Sequence, residues 1–372
     1  MSSALYILVE MKVETHNFPA PCGDITLVRL VNNRGESVLL SSLGAGILAV
    51  EVADREGKIR NVALGYENPA DYMADGPCMG KTAGRYANRI ARGQLEVNGR
   101  KYELPVNCGP NHLHGGPDGF QNKLWTVDSL LSNGVRFTLF SPDGDSGYPA
   151  DLKVAVEYRW NDDAQLSISF SAESDAPTVV NLTNHTYWNL DGENAGNALH
   201  HLLKIKASGW LPTDDTLVPL DRIDGVAGTP MDFLDFHTVG ERINDDFPAL
   251  KFGKGYDNCW ALDRRIDEQT DADGATEWKE NAMVEDAVVL ASPRSGIALH
   301  IDTDQPGVQV YSGNWLSGSP KNPEGRSYDD YDGIAIEAQG FPDAPNQPSF
   351  PSQRVDPDHP YFRTIVYRFT KD

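Results

Sequence analysis

The stretch ITLVRLVNNRGESVLLSSLGAGILAVEVADREGK, residues 25 to 58, decides the fold class. Its aliphatic runs, ITLVRLV, SVLLSSL and GAGILAVEVA, are short, and the turn-rich segments NNRGE and DREGK bound them. Apolar and β-branched runs of this length between Asn, Gly and Asp are typical of strands joined by tight turns. The stretch therefore predicts successive antiparallel hairpins.

The same rhythm continues to the C-terminus. Asn98-Gly99, between QLEV and RKYEL, favours a type I′ hairpin, and Asn133-Gly134 joins VDSLLS to VRFTLF. Further strand-like runs are LKVAVEYRW, AQLSISFSAES, AVVLAS, GIALHIDT, GVQVYSG and RTIVYRF. Only residues 70–76 and 237–245 suggest short helices, and residues 263–286 suggest a polar surface insertion. Many short strands without alternating helices predict an all-β fold, a large antiparallel β-sandwich or barrel.

Length and charge limit the classes of function. The 372 residues would suggest about two domains by length alone, but no linker marks a boundary, so we predict a single domain over residues 1–372. The formal charge is 32 − 54 = −22, which repels phosphate backbones and anionic lipid. No apolar run approaches the roughly 20 residues of a membrane-spanning helix. We therefore expect no nucleic acid and no membrane partner.

The cysteines point to a reducing compartment. They are far apart and form no CxxC pair, which argues against a zinc ribbon or a thioredoxin-like motif: Cys22, Cys78, Cys108 and Cys259. The N-terminal run ALYILV is too short for the apolar core of a signal peptide. We predict a cytoplasmic protein, for which Met11 is an alternative start to Met1.

One candidate acidic group lies near the C-terminus, in IAIEAQGFPDAPNQPSFPS, residues 334 to 352. The alternating run Ile334 to Ala338 predicts a strand that delivers Glu337 and Gln339 into a loop rich in Pro and Gly. Such an arrangement presents polar groups at a cavity. The alternative is an ordinary solvent-facing Glu on a half-buried strand.

A second candidate stretch is GRYANRIARG, residues 84 to 93, which concentrates positive charge in an acidic chain. Arg85, Asn88 and Arg89 precede a predicted strand. Because guanidinium is a rigid fork of donors, the two arginines could bind a carboxylate or neutral hydroxyls. They could equally form surface ion pairs.

A third candidate stretch is GPNHLHGG, residues 109 to 116. His112 and His114 at positions i and i+2 share one face of a strand, so they could be two metal ligands. They could also be one functional histidine beside a bystander. The pair Gly115-Gly116 predicts close backbone approach or positive φ, which favours a pocket wall.

The fourth candidate stretch is NLTNHTYWNL, residues 181 to 190, in which three asparagines and two aromatic residues surround His185. Aromatic faces cover the apolar faces of a polyhydroxylated ligand, and amides bind its hydroxyls. The stretch therefore predicts a sugar-binding site, with a structural histidine held by asparagines as the alternative.

Together these stretches resemble the aldose 1-epimerase (galactose mutarotase) family. GRYANRIARG, NHLHGG, NLTNHTYWNL, GYDNCW, QPGVQVYSGNWL and IEAQGFPDAPNQPSF follow the family's order from about Gly23 to the C-terminus. The resemblance implies a β-supersandwich with a core over about residues 23–372, no cofactor and no metal. It also implies interconversion of the α and β anomers of free aldohexoses such as D-galactose and D-glucose. We expect a monomer or weak homodimer.

The resemblance also assigns roles. Glu337 is the expected general base, His185 the general acid, and His114 a second histidine near the ring oxygen. The expected substrate-binding residues are Asn88, Arg89, His114, Asp257 and Gln309. The chain departs from the family at Tyr86, where small apolar residues are commoner, and in the acidic insertion 263–286, and both leave substrate preference open.

Those residue types suit ring opening. A carboxylate of pKa about 4.3 can take the proton of the C1 hydroxyl, and an imidazole near 6.5 can protonate the ring oxygen, so no large pKa shift is expected. Two alternatives from other classes are a non-catalytic sugar-binding sandwich and a cupin-like metalloenzyme using His112, His114, a Glu and a third His. Hexose 6-phosphates are a third possibility, against which the net charge argues weakly.

Overall fold

Within residues 11–73, 75–264 and 282–371, which the computed structural model describes, most strands belong to three antiparallel sheets. The five-stranded sheet runs in chain order: Lys12–Ala20, Gly23–Val31, Ser37–Ser41, Gly46–Ala53 and Ile59–Asn61. The nine-stranded sheet has the spatial order Thr126–Leu131, Gly134–Ser141, Leu152–Trp160, Gln165–Ser174, Tyr361–Lys371, Ile297–Thr303, Val284–Ala291, Leu202–Ile205 and His237–Thr238. The six-stranded sheet has the order Tyr187–Trp188, Ile334–Gln339, Gly307–Tyr311, Asp257–Ala261, Gly209–Leu211 and Asp224–Gly225.

Shorter elements connect these sheets. Two-stranded pairs join Arg89–Ile90 to His112–Leu113, Gln94–Val97 to Arg100–Glu103, Thr82–Ala83 to Thr183–Asn184, and Thr178–Val179 to Arg354–Val355. In the described residues, helix is limited to one α-helical turn at Pro248–Gly253 and 3₁₀ turns at Pro69–Tyr72, Ala91–Gly93, Phe120–Asn122, Asp145–Gly147 and Ala344–Asn346. None of these helices is long and apolar enough to cross a membrane.

The core lies between the sheets. Alternate residues of the nine-stranded sheet, among them Val154 and Val156, are fully or nearly fully buried against Ile334 and Ile336 of the six-stranded sheet. The five-stranded sheet adds Val28 and its neighbours to the same cluster. Period-2 alternation places one face of strands such as Gln165–Ser174 in the core, and the predicted all-β antiparallel sandwich is confirmed.

The two predicted Asn-Gly hairpins both form, but the turn residues differ between them. Asn98 and Gly99 have φ of 53° and 76°, as a type I′ turn requires, so this hairpin is confirmed. The hairpin at 133–134 also forms, but its turn is one residue earlier, because Leu131 pairs with Gly134. Gly134 is in the strand, where an added Cβ would lie 2.0 Å from the Tyr158 carbonyl oxygen.

Two local predictions are wrong in part. Residues 237–245 form a two-residue strand and turns, and the helix begins only at Pro248. The predicted insertion ends in the strand Val284–Ala291, while its residues 265–281 lie outside the described residues, as do residues 1–10.

Candidate active site

The outer face of the six-stranded sheet carries a row of polar side chains. In the strand Ile334–Gln339 the isoleucines face the core, so Glu337 and Gln339 face the other way. Gln309 lies directly opposite Glu337, and Cys259 lies opposite Gln309 on the next strand. Glu337 is therefore on a buried strand and only 2% exposed, rather than on a half-buried strand facing solvent.

Arg89 and Asp257 form an ion pair beside this row. The Arg89 Nη2 atom lies 3.2 Å from the Asp257 carboxylate, whose other oxygen accepts a 2.7 Å hydrogen bond from Gln309 Nε2. Asn88 Oδ1 accepts from the Arg89 backbone N–H at 2.8 Å. Four of the residues expected to bind substrate are thus brought into one network.

The short strand Thr183–Asn184 delivers His185 to the same place. Its pairing with Thr82–Ala83 continues through hydrogen bonds of the His185 backbone to Gly80 and Lys81. The His185 Nε2 atom lies 3.4 Å from Glu337 Oε1, and the imidazole is tilted against the Tyr187 ring at 5.0 Å. The general acid and base expected from the sequence therefore face each other.

His114 is fixed by a reciprocal backbone contact. Its N–H donates to the Asn88 carbonyl at 3.1 Å, and the Asn88 N–H donates to His114 Nδ1 at 3.1 Å. Because Nδ1 accepts, the neutral imidazole carries its proton on Nε2. The following Gly115 has φ of 78°, and an added Cβ would lie 1.9 Å from the Gly84 carbonyl oxygen, which explains the predicted close approach.

These residues border a cavity of about 610 Å³. Among its described lining residues are Asn88, Arg89, His114, His185, Asp257 and Glu337, whereas Gln309 lies beneath the lining and reaches it through Asp257. Tyr187 and Tyr311 add aromatic walls, and Trp315, 66% exposed, lies on the rim. The cavity has the apolar walls and few convergent polar groups of a small-molecule site.

Several polar atoms of this site are buried without a hydrogen-bond partner among the described residues: Glu337 Oε2, His185 Nδ1 and Gln309 Oε1. Buried polar groups in folded proteins are nearly always satisfied by protein, water or ligand. Their concentration here, next to a cavity, indicates a site built for a polar molecule.

Burial changes the protonation of the catalytic candidates. Desolvation, with a smaller effect of Asp257, raises the pKa of Glu337 well above its usual value, although Arg89 opposes this. Desolvation lowers the pKa of His185 to about 4 and that of His114 well below its usual range. The expectation of ordinary pKa values is therefore wrong, because both candidate groups leave water.

The ligand atoms of His114, His185 and Glu337 lie within 4.8 Å of one another, close enough to hold a metal ion. However, Asn88 fixes the His114 proton on Nε2, whereas metal-bound histidines usually donate their second N–H to an acceptor. The alternative in which His112 and His114 are two metal ligands is also not supported. Both His112 ring nitrogens are used, one by the Pro105 carbonyl and one by the Tyr148 hydroxyl. The donor set favours hydrogen bonding over metal coordination.

Some candidates lie elsewhere. Arg85 is buried and directs its guanidinium to backbone carbonyls, such as that of Pro149 at 2.7 Å, and to Ser141, so it has a structural role. Tyr311 was missed, although its position two residues after Gln309 on one strand could have revealed it.

Comparison with known proteins identifies the family of the chain. The family model of aldose 1-epimerase matches residues 26–368. Galactose mutarotase of Bos taurus is 39% identical over 329 residues, 88% of this chain and 90% of that protein. Aldose 1-epimerase of Escherichia coli K12 is 35% identical over 345 residues, 92% of this chain and 94% of that protein. The solved galactose 1-epimerase of Lactobacillus acidophilus superimposes with a TM-score of 0.80 at 28% identity, covering 97% of this chain and 99% of that one. This chain therefore belongs to the aldose 1-epimerase family.

Proposed function

We propose that this protein interconverts the α and β anomers of free aldohexoses, with D-galactose and D-glucose as the first substrates to test. Membership of the family makes it a carbohydrate epimerase of the isomerase class. The observation that carries the proposal is the 3.4 Å approach of His185 to Glu337 on the floor of a cavity with unpartnered polar atoms.

The reaction needs one proton acceptor and one proton donor. Glu337 takes the proton of the C1 hydroxyl while His185 gives a proton to the ring oxygen. The bond between C1 and the ring oxygen then breaks and leaves the open-chain aldehyde. After rotation about the C1–C2 bond, the C5 hydroxyl attacks the other face of the aldehyde, and the two groups exchange roles. Each positioned acid or base typically contributes about 10²–10⁴-fold.

The shifted pKa values of Glu337 and His185 bear on the number of protons that the pair holds. A carboxylate with an imidazolium and a carboxyl with a neutral imidazole both contain a single shared proton. Because the pKa of Glu337 is raised and that of His185 is lowered, the pair keeps this single proton over a wide pH range. Burial favours the proton on Glu337, and the Arg89 charge favours the carboxylate that accepts the C1 proton.

The remaining residues would bind the sugar. The neutral His114 offers its Nε2–H to the ring oxygen or a neighbouring hydroxyl. Asn88, Arg89 and Asp257 offer donors and acceptors to other hydroxyls, and Gln309 orients Asp257. Tyr187 and Tyr311 supply aromatic surface for the apolar faces of the sugar ring.

A free sugar suits this cavity better than a hexose phosphate. Arg89 is the only Lys or Arg among the described lining residues, and it is already paired with Asp257. A phosphate would require further cationic partners to offset the free-energy cost of its desolvation.

Polarimetry tests the proposal. Freshly dissolved α-D-galactose and α-D-glucose are followed with wild type, Glu337→Gln and His185→Asn, with chelator present throughout. Glu157→Gln and His300→Asn, both outside the cavity lining, are matched controls. We expect wild type and controls to speed equilibration and the two cavity variants to lose most of that acceleration. If wild type binds the sugar but adds nothing over buffer, the protein is a binding module, and hexose 6-phosphates are tested next.

The cytoplasmic location and the monomeric or weakly dimeric state are further parts of the proposal. All four cysteines are free thiols, which suits a reducing compartment. Light scattering over a concentration series measures the oligomeric state directly.

A further inference from the structure

The loop of residues 75–81 contains a buried ion pair to which the reaction assigns no role. The side chains of Asp75 and Lys81 are both 0% exposed and form an ion pair. Lys81 Nζ also donates to the Tyr72 carbonyl at 2.6 Å and to Asn122 Oδ1 at 3.1 Å. The Lys81 stem passes Gly44, where an added Cβ would lie 2.9 Å from that stem.

The other oxygen of Asp75 closes the loop on itself. It accepts from the Met79 backbone N–H at 2.8 Å and from the Tyr66 hydroxyl at 3.2 Å. The ion pair thus joins the two ends of the loop and fixes both to the surrounding protein.

The same loop forms part of the cavity and holds His185. Gly76, Pro77 and Cys78 line the cavity. At the end of the loop, the Gly80 N–H donates to the His185 carbonyl at 2.9 Å, and the His185 N–H donates to the Lys81 carbonyl at 2.9 Å. The backbone of the buried lysine is therefore the direct support of the His185 backbone.

We propose that the Asp75–Lys81 ion pair is a positioning device for His185, holding the imidazole at its distance from Glu337. A buried ion pair contributes little net stability compared with a well-packed apolar pair, but removing one partner leaves a costly unpaired charge. Its clearest physical effect here is a fixed loop geometry. A misplacement of about 1 Å at a catalytic group can cost about 100-fold in rate.

The proposal predicts an electrostatic effect on the pKa of His185, which a purely structural role of the ion pair would not produce. The titratable groups around the His185 imidazole are Glu337, His114 and Tyr187 beside it, and Arg89 and Asp257 in the same cavity lining. Lys81 lies outside that lining and acts on His185 through its charge. The Lys81 charge contributes to lowering the pKa of His185. Removing the positive charge of Lys81 should therefore raise the pKa of His185, and removing the negative charge of Asp75 should lower it.

The experiment compares Lys81→Met, Asp75→Asn and the double variant Asp75→Leu/Lys81→Met with wild type, and it rests on the proposed function for its kinetic part. We expect kcat to fall by about 10-fold to 100-fold in the single variants, with KM changing less. NMR titration of the His185 imidazole, assigned with His185→Asn, should show its pKa raised in Lys81→Met and lowered in Asp75→Asn. This titration requires no activity, so failure of the proposed function is distinguished from failure of the positioning role.

The double variant keeps the test decisive if a single variant does not fold. It removes both charges together, so we expect it to fold and still to lose kcat by about 10-fold, because His185 loses its anchored support. A matched apolar replacement of the Arg60–Asp54 ion pair, Arg60→Met/Asp54→Leu, lies outside the cavity lining and should leave kcat unchanged. Full kcat in the Asp75→Leu/Lys81→Met variant, or equal His185 pKa values in both folded single variants, would overturn the proposal.

Discussion

The residues that the structure describes contain two clusters of two histidines and one carboxylate whose ligand atoms lie within 4.8 Å of one another. The cavity cluster is His114, His185 and Glu337. The second cluster is Asp191, His200 and His201, at the Leu202–Ile205 end of the nine-stranded sheet. In residue types the two are almost interchangeable.

Their hydrogen bonds are very different. In the second cluster, His201 donates to the Ala198 carbonyl and accepts from the Leu190 N–H. Asp191 accepts from His200 Nε2 at 2.6 Å and from the Ser292 hydroxyl. In the cavity cluster, by contrast, Glu337 Oε2 and His185 Nδ1 have no partner among the described residues.

The comparison shows that hydrogen-bond partners distinguish a candidate binding cluster from a structural one. A buried cluster whose polar atoms are hydrogen-bonded stabilises the fold, whereas buried atoms without partners beside a cavity are available to a ligand. The following predictions test this difference, from the largest expected effect to the smallest.

Exchanging the carboxylate of each cluster for its amide should give opposite results. Glu337→Gln should lower kcat by about 10²–10⁴-fold because the proton acceptor is lost. Asp191→Asn should leave kcat near wild type but cost about 1–3 kcal/mol of unfolding free energy, because buried partners lose their acceptor. Polarimetry and urea unfolding measure the two effects. Equal losses of kcat in both variants would contradict the distinction.

Exchanging one histidine of each cluster should repeat the contrast more weakly. His185→Asn should lower kcat by at least about 100-fold, and less than Glu337→Gln, because the His114 Nε2–H remains beside it as a donor. His201→Gln should cost about 1–3 kcal/mol of unfolding free energy by disturbing the acceptor of the Leu190 N–H. Normal activity in His185→Asn would remove this residue from the mechanism.

The pH profile of kcat/KM should report the burial of the cavity cluster. Ordinary pKa values would confine the singly protonated pair to between about pH 4.3 and 6.5. Because the pKa of His185 is about 4 and that of Glu337 is well raised, we expect activity to persist above pH 7 and to fall only near pH 4 on the acid side. A steep loss of activity between pH 6 and 7 would show that the shifts are absent when sugar is bound.

The pH dependence of stability should have opposite signs for Glu337 of the cavity cluster and His201 of the second cluster. The folded pKa of Glu337 is raised, so its contribution to stability is lost as pH rises above about 4.5, and Glu337→Gln should stabilise the protein more at pH 8 than at pH 5. The folded pKa of His201 is lowered to about 4, so its contribution is lost as pH falls below about 6.5, and His201→Gln should cost more at pH 8 than at pH 5. Each slope is at most about 1.4 kcal/mol per pH unit. Urea unfolding at both pH values provides the check.

Zinc should have the smallest effect. Because the His114 proton is held on Nε2, we expect micromolar Zn²⁺ to slow the reaction by less than about twofold, and chelator to change nothing. Strong inhibition by Zn²⁺ that His114→Asn relieves would show that the tautomer can exchange.

Local rules correctly predicted much of this molecule. The Asn98-Gly99 hairpin and the strand pattern depend on neighbouring residues, and both were predictable from the sequence. The candidate site residues were assigned through the resemblance of six short stretches, and the structure brings these candidates together around one cavity. Arg85 and Arg89, in contrast, are four residues apart in one stretch, and nothing local distinguishes the structural arginine from the cavity arginine.

The sequence by itself determined the antiparallel strand pattern, the tight turns and the family, because these depend on short-range backbone preferences and on side-chain order. Only the tertiary structure decided that Glu337 and His185, 152 residues apart, lie 3.4 Å from each other, and that their pKa values shift. Only the tertiary structure decided which of the two similar clusters has buried polar atoms without hydrogen-bond partners. The physical reason is that desolvation and hydrogen-bond satisfaction depend on every chain segment packed around a group, and no local stretch contains that information.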